Sequence, residues 1–163
     1  MEEILKRVHI PTGWGLLRDG WYVIECGGLA LDDPGPAAVG YVLRYPNGRT
    51  ERRRKMLPGV RTQDDAEFEA VFRGLQFARR RGAHKVTIQT ASDLVIRQLK
   101  GAVAAGPGGW RSIWKAIERL LQNGFDAYLS CPIPGKQNRD VYALAQRSLD
   151  RALGEGVRGG RDY

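Results

Sequence analysis

Polar and apolar positions alternate in the first third of this chain and recur at helical spacing in the rest. Residues 1–20 follow no clean period and read as an N-terminal extension, followed by a single domain over 21–153. Residues 21–26 (WYVIEC) form a short apolar strand, and the Gly/Pro-rich GGLALDDPGP after it reads as a turn. Val39, Tyr41, Leu43 and Tyr45 alternate with Ala38, Gly40, Val42 and Arg44, the period of two expected of a strand. Asn47-Gly48 predicts a hairpin turn, because both residues tolerate positive φ. A third strand over 49–57 then runs to Pro58-Gly59.

Thr62 is placed as an N-cap, with Gln63, Asp64 and Asp65 near the positive end of the helix dipole. Phe68, Val71, Phe72 and Leu75 share one helical face, so 63–81 is predicted helical, closed by Gly82. Val86 and Ile88 mark a strand in HKVTIQT, and Ser92 caps a short helix over 93–100. Trp110, Ile113, Trp114, Ile117 and Leu120 or Leu121 form the clearest helical stripe, stopped by Asn123-Gly124. By that spacing Trp110 and Trp114 belong to the core. Phe125, Ala127, Leu129 and Cys131 alternate as a last strand, and 139–153 is a final helix. Residues 154–163 read as a flexible, basic, glycine-rich tail. The order β-β-β-α-β-α-α-β-α predicts an α/β fold: one mixed five-stranded sheet, three antiparallel strands then parallel ones, with helices on both faces.

Charge adds a functional hint. Lys and Arg total 26 against 18 Asp and Glu, a formal net charge of +8. Such a surplus favours polyanions through counterion release. It is clustered at Arg49, Arg52, Arg53, Arg54 and Lys55, and again at Arg79, Arg80, Arg81 and Lys85. These nine residues are the candidate nucleic-acid contacts, since the arginine fork grips phosphate bidentately. No apolar run approaches the ~20 residues of a membrane span, no secretory signal is expected, and two cysteines cannot staple a secreted miniprotein. A cytoplasmic protein without a membrane partner is the expectation.

Four blocks, in order, resemble the ribonuclease H family, specifically its short, reverse-transcriptase-like domains. DDPGPAAVGYVLRYPNG resembles the first hairpin with its Asn-Pro-Gly-Pro turn. TQDDAEFEAVFRGLQFA resembles the T-N-N-x-A-E-Y helix. GAHKVTIQTASDLVIRQLKG resembles the strand and helix around T-D-S, and PIPGKQNRDVYALA resembles the last helix with its A-D-x-L-A step. The family's activity, cleavage of RNA in RNA–DNA hybrids, uses two metal ions held by three Asp and one Glu.

Carried over one at a time, those carboxylates fall on Gly27, Glu67, Ala91 and Tyr142. Only Glu67 is an acid. Neither His9 nor His84 lies where the family's assisting histidine would, near Pro132. The family's Asn pair that helps read the RNA sugar corresponds to Gln63 and Asp64, and Asp33 stands for the turn's Asn. Tyr142 shares its helix face with Ala145, Leu149 and Ala152, so its ring is expected to fill the space the metals and carboxylates would occupy. In the family's fold Cys26 and Cys131 lie on strands roughly 9–10 Å apart, too far for a disulfide, and are expected to be free thiols.

The resemblance and the substitutions together imply a catalytically degenerate protein that binds RNA, DNA or an RNA–DNA hybrid without cutting it and takes no cofactor. Two alternatives stay open. One is a protein-interaction or homodimerisation module on the same fold. The other is an active hybrid ribonuclease using Mg²⁺ or Mn²⁺ on the relocated carboxylates Glu25, Asp93 and Asp140.

Overall fold

The computed structural model describes residues 8–9, 20–101 and 108–161. Its strands are β1 (Val8–His9), β2 (Trp21–Ala30), β3 (Ala37–Arg44), β4 (Thr50–Met56), β5 (Lys85–Thr90) and β6 (Ala127–Pro132). Its helices are α1 (Gln63–Arg80), α2 (Asp93–Leu99), α3 (Trp110–Gly124) and α4 (Arg139–Arg161). They build one mixed sheet in the order β1-β6-β5-β2-β3-β4. β2, β3 and β4 form the antiparallel meander, while β5 pairs parallel with β2 and β6 parallel with β5. The expected five strands are all present. The N-terminal extension adds a sixth, β1, parallel to β6 at the sheet edge. Trp14 of that extension, which by sequence could either cap the core or mediate self-association, lies outside the described residues.

The sheet is covered on both sides. The larger core joins Ile24, Cys26, Val39, Tyr41 and Leu43 to α1 and α3, while α4 covers the other face through Val141, Leu144, Ala145 and Leu149. The alternation in β3 is therefore one of size rather than polarity. Val39, Tyr41 and Leu43 fill the thick core, and the small Ala38 and Gly40 let α4 approach closely. Trp110 stacks on Phe68 with centroids 4.6 Å apart and planes 9° from parallel, and Trp114 meets the same ring edge-on at 6.4 Å. Trp110 is buried in the core, as its spacing predicts, and the half-buried Trp114 packs against it. Cys26 and Cys131 are free and buried.

Three boundaries differ from expectation. β2 runs past Cys26 to Ala30, through glycines that read as a turn. Those glycines serve close approach instead. A Cβ on Gly28 would collide with the Ala66 backbone of α1, and one on Gly27 would lie 2.7 Å from Val141 Cγ2 of α4. β6 begins at Ala127, because Phe125 is the extended C-cap of α3 with its ring buried. α4 continues beyond 153 to Arg161. No proline interrupts that segment, and each glycine costs a helix only about 1 kcal/mol.

Candidate functional site

The site forms where α1 begins. Thr62 caps the helix reciprocally: its Oγ1 accepts from Asp65 N–H at 3.0 Å, and Asp65 Oδ2 accepts from Thr62 N–H at 3.3 Å. One turn on, Glu67 points into the seam between sheet and helices. Gly28 N–H donates to Glu67 Oε1 at 2.6 Å, and the Tyr142 hydroxyl of α4 donates to Oε2 at 2.8 Å. The Tyr142 ring flanks Gly27, where an added Cβ would lie 3.2 Å from it. Ala91 follows the last residue of β5, and the pairing of Glu25 with Gln89 sets it level with Gly27 on the neighbouring strand.

Gly27, Glu67 and Tyr142 thus meet in one seam, with Ala91 just past the end of β5 beside it. Tyr142 sits with its ring beside Gly27 and its hydroxyl on Glu67, half-buried at the edge of the helix face that meets the sheet rather than at its centre. Ala145 and Leu149 are buried beside it, but Ala152 is exposed. Val141 takes the inward position in the first turn.

Burial pushes the Glu67 carboxyl up to about 7, although the Gly28 and Tyr142 hydrogen bonds both favour its charged form. Burial and the adjacent Glu67 push the Tyr142 hydroxyl above its ordinary range, so it stays the proton donor of the pair. Asn138, fully buried ahead of α4, donates from Nδ2 to Cys26 O at 3.1 Å, and its backbone carbonyl accepts from Tyr142 N–H at 3.3 Å.

The relocated acids do not gather here. Glu25 accepts from Arg44 Nε at 2.7 Å, and Arg44 lies opposite Val23, so Glu25 leans away from Gly27. Asp93 pairs with Arg97 at 3.0 Å on the surface of α2. Asp140 is exposed and faces Arg52 at 3.9 Å. The two metal ions implied by the family resemblance do not fit these residues. Gly27 and Ala91 offer no side-chain donor, Tyr142 keeps its proton, and each Glu67 oxygen already accepts a hydrogen bond. Among the described residues no three His, Cys, Asp or Glu side chains form a metal-holding group.

The nine basic candidates split by strand parity and by end. Arg49, Arg53 and Arg81 converge on Glu51, at 3.8, 3.0 and 3.0 Å. Arg53 and Arg81 both stack on Phe77, and Arg49 on Tyr45, whose hydroxyl donates to Glu51. The Arg81 and Tyr45 hydrogen bonds hold the Glu51 carboxyl well below its usual range. Arg79, Arg80 and Lys85 are exposed at the same end of the sheet, away from Glu67. Arg52 and Arg54 project from the other face of β4, and Lys55 lines a groove with Arg54.

Sequence reasoning missed Gln63 as a structural clamp. Its Nε2 donates to Gly28 O at 2.8 Å and its Oε1 accepts from Ala30 N–H at 2.8 Å, satisfying β2 where β5 no longer runs beside it. Asp33 Oδ1 accepts from Gln63 N–H at 3.0 Å. A strand continuing through Gly27 and Gly28 would have exposed this need, but the glycines read as a turn. Arg44 as the partner of Glu25 was also missed; one lies on β2 and the other on β3, and only the hairpin register joins them.

The comparisons with known proteins bear on the fold and the family. A family model described as reverse transcriptase-like matches residues 26–148. A ribonuclease HI of Halobacterium salinarum is 32% identical over 125 residues, 77% of this chain; the match spans 62% of that relative's length. The crystal structure of RNase H1 from the same halophilic archaeon superposes with a TM-score of 0.76 at 30% identity, covering 80% of this chain and 98% of that one. LC11-RNase H1, solved in complex with an RNA/DNA hybrid, superposes at 0.75 with 25% identity, over 81% and 99% of the two chains. Among the described residues no helix is long and apolar enough to cross a membrane.

Proposed function

This chain belongs to the ribonuclease H family, in its reverse-transcriptase-like branch, and from that premise we propose that it binds nucleic acid without cleaving it. One observation carries the reading: the single surviving carboxylate, Glu67, is sealed by Gly28 N–H at 2.6 Å and the Tyr142 hydroxyl at 2.8 Å. A site for two hard divalent ions needs several oxygen ligands within reach. Glu67 has no carboxylate beside it: the carried-over positions around it are Gly27, Ala91 and Tyr142, and both of its oxygens already accept a hydrogen bond.

Nucleic acid as the partner is supported by the net charge of +8 and by the hybrid-bound state of LC11-RNase H1. The substrate-reading position is altered as well. The Gln63 side chain is committed to the β2 backbone, so the hybrid's RNA sugar has lost a partner there.

The reading is tested by fluorescence anisotropy of a labelled RNA–DNA hybrid across a salt series, with single-stranded RNA and duplex DNA alongside. Binding that weakens steeply with salt is expected. No binding to any of the three at low salt would overturn it.

A further inference from the structure

We propose that the face formed by α1 and β4, rather than the Glu67 seam, is where this protein holds nucleic acid, gripping backbone phosphates with arginines that two tucked-in carboxylates hold in place. The inference rests on the reading above and says where the nucleic acid lies. Two groups build the face. Arg49, Arg53 and Arg81 gather on Glu51, at 3.8, 3.0 and 3.0 Å, and Arg61 and Arg73 gather on Glu69, at 3.0 and 3.1 Å. Glu69, Arg73, Phe77 and Arg81 follow one another at four-residue steps, a single stripe along α1 and its C-cap. Strand parity brings Glu51 and Arg53, opposite Leu43 and Tyr41, to the side of the sheet that α1 covers. Burial raises the pKa of the Tyr41 hydroxyl, while the charges of Arg80, Arg73 and Arg53 all work against it. The two groups and Arg80 are therefore close enough to form one patch.

Depth sets the sign of this surface. The Glu51 and Glu69 side chains are each 12% exposed, whereas those of Arg49, Arg53 and Arg81 are 65%, 44% and 40% exposed. The acids lie beneath and the arginine forks above, three to one around Glu51 and two to one around Glu69. Each group keeps a positive charge after its own ion pairs are made. The forks also keep donors. A guanidinium carries five N–H groups. Arg53 uses them on Glu51 and on the Arg52 carbonyl, one bond from each Nη, and Arg49 at 3.8 Å is too far from Glu51 for a hydrogen bond. A phosphodiester oxygen would accept charge-assisted hydrogen bonds from the N–H groups that remain.

The forks are held ready. Arg53 and Arg81 both lie on the Phe77 ring, 4.9 and 4.8 Å from its centroid, and Arg49 lies 5.0 Å from that of Tyr45. A side chain already stacked and paired gives up little rotamer freedom when a phosphate arrives. The Glu51 group also stands clear of the seam. Arg81 is about 20 Å from Glu67 along a helix that rises 1.5 Å per residue. Phosphates held there lie far from the carried-over carboxylate positions, which fits binding without cleavage. β4 is an outer strand of the sheet, and no described strand lies beyond it.

The test compares wild type with three double variants in anisotropy titrations of one labelled hybrid over a salt series. R53Q/R81Q cuts the centre of the patch, and R49Q/R80Q removes two exposed cations from its rim. The control R139Q/R147Q takes the same charge from exposed positions on α4, on the opposite face of the sheet. Each patch variant is expected to bind at least about tenfold more weakly at moderate salt, with a log–log salt slope shallower by roughly one to two. The control is expected to stay within about threefold, with its slope unchanged. Circular dichroism checks each fold, and R49Q/R80Q, which leaves the stack on Phe77 intact, carries the test if R53Q/R81Q does not fold. Wild type binding while the patch variants match it in affinity and slope would overturn the face and leave the binding function standing. Equal losses in patch variants and control would also overturn it, as a pure net-charge effect. Wild type failing to bind at all would overturn the function itself.

Discussion

Tyr142 and Glu67 decide what this site can do. A hydroxyl that stays protonated caps a carboxyl whose ionisation burial pushes up to about 7. The cost of burying Glu67 should be visible in pH-dependent stability. Below about 4.5, folded and unfolded chains both hold the proton and the burial carries no ionic penalty. As pH rises, the unfolded chain ionises first, so stability falls until pH passes about 7, where the folded site ionises too. Glu67→Gln keeps a carbonyl for Gly28 N–H and removes the titration. In urea unfolding, the variant should gain on the order of 2–3 kcal/mol over wild type between pH 4 and pH 8. Parallel pH profiles would show that Glu67 is not desolvated as described. The four carried-over positions were legible because the motif blocks fix them residue by residue. The hydrogen bonds of Gln63 were not, since nothing in the local sequence says that β2 loses its neighbour at that point.

At the scale of elements, the glycines of β2 set the geometry. Gly28 meets α1 backbone, which cannot rotate away, whereas Gly27 meets the terminal methyl of Val141 and a ring edge. Gly28→Ala is therefore expected to cost about 3 kcal/mol in chemical denaturation and Gly27→Ala about 1 kcal/mol. Equal costs would contradict the close packing of α1 on β2. The Thr62 capping box should be worth about 1 kcal/mol, read as the loss in Thr62→Ala. Most elements were legible from periodicity. Two of the exceptions share a cause: Gly27-Gly28 and the glycines of α4 carry a turn-like composition, and in both places tertiary contact or the absence of a stronger breaker overrides it.

For the whole molecule, the two basic runs in the sequence resolve into different surfaces. Strand parity sends Arg53 toward Phe77 and Arg81, and Arg52 and Arg54 toward α4. That division could not be read from the clusters alone, because Ser148 and Arg151 join the second surface from far along the chain. The molecule keeps the family's scaffold and a net positive charge, and beside Glu67 the positions carried over from the family's carboxylates are Gly27, Ala91 and Tyr142. The direct test is a single-turnover experiment, with the protein in large excess over an end-labelled RNA–DNA hybrid at pH 8, in Mg²⁺ and separately in Mn²⁺. Each sample is split between a native gel and a denaturing gel. The account predicts a retarded complex whose RNA strand stays intact over hours in both metals. Metal-dependent cleavage that disappears in Glu67→Gln would contradict it and restore this chain to the active enzymes of its family.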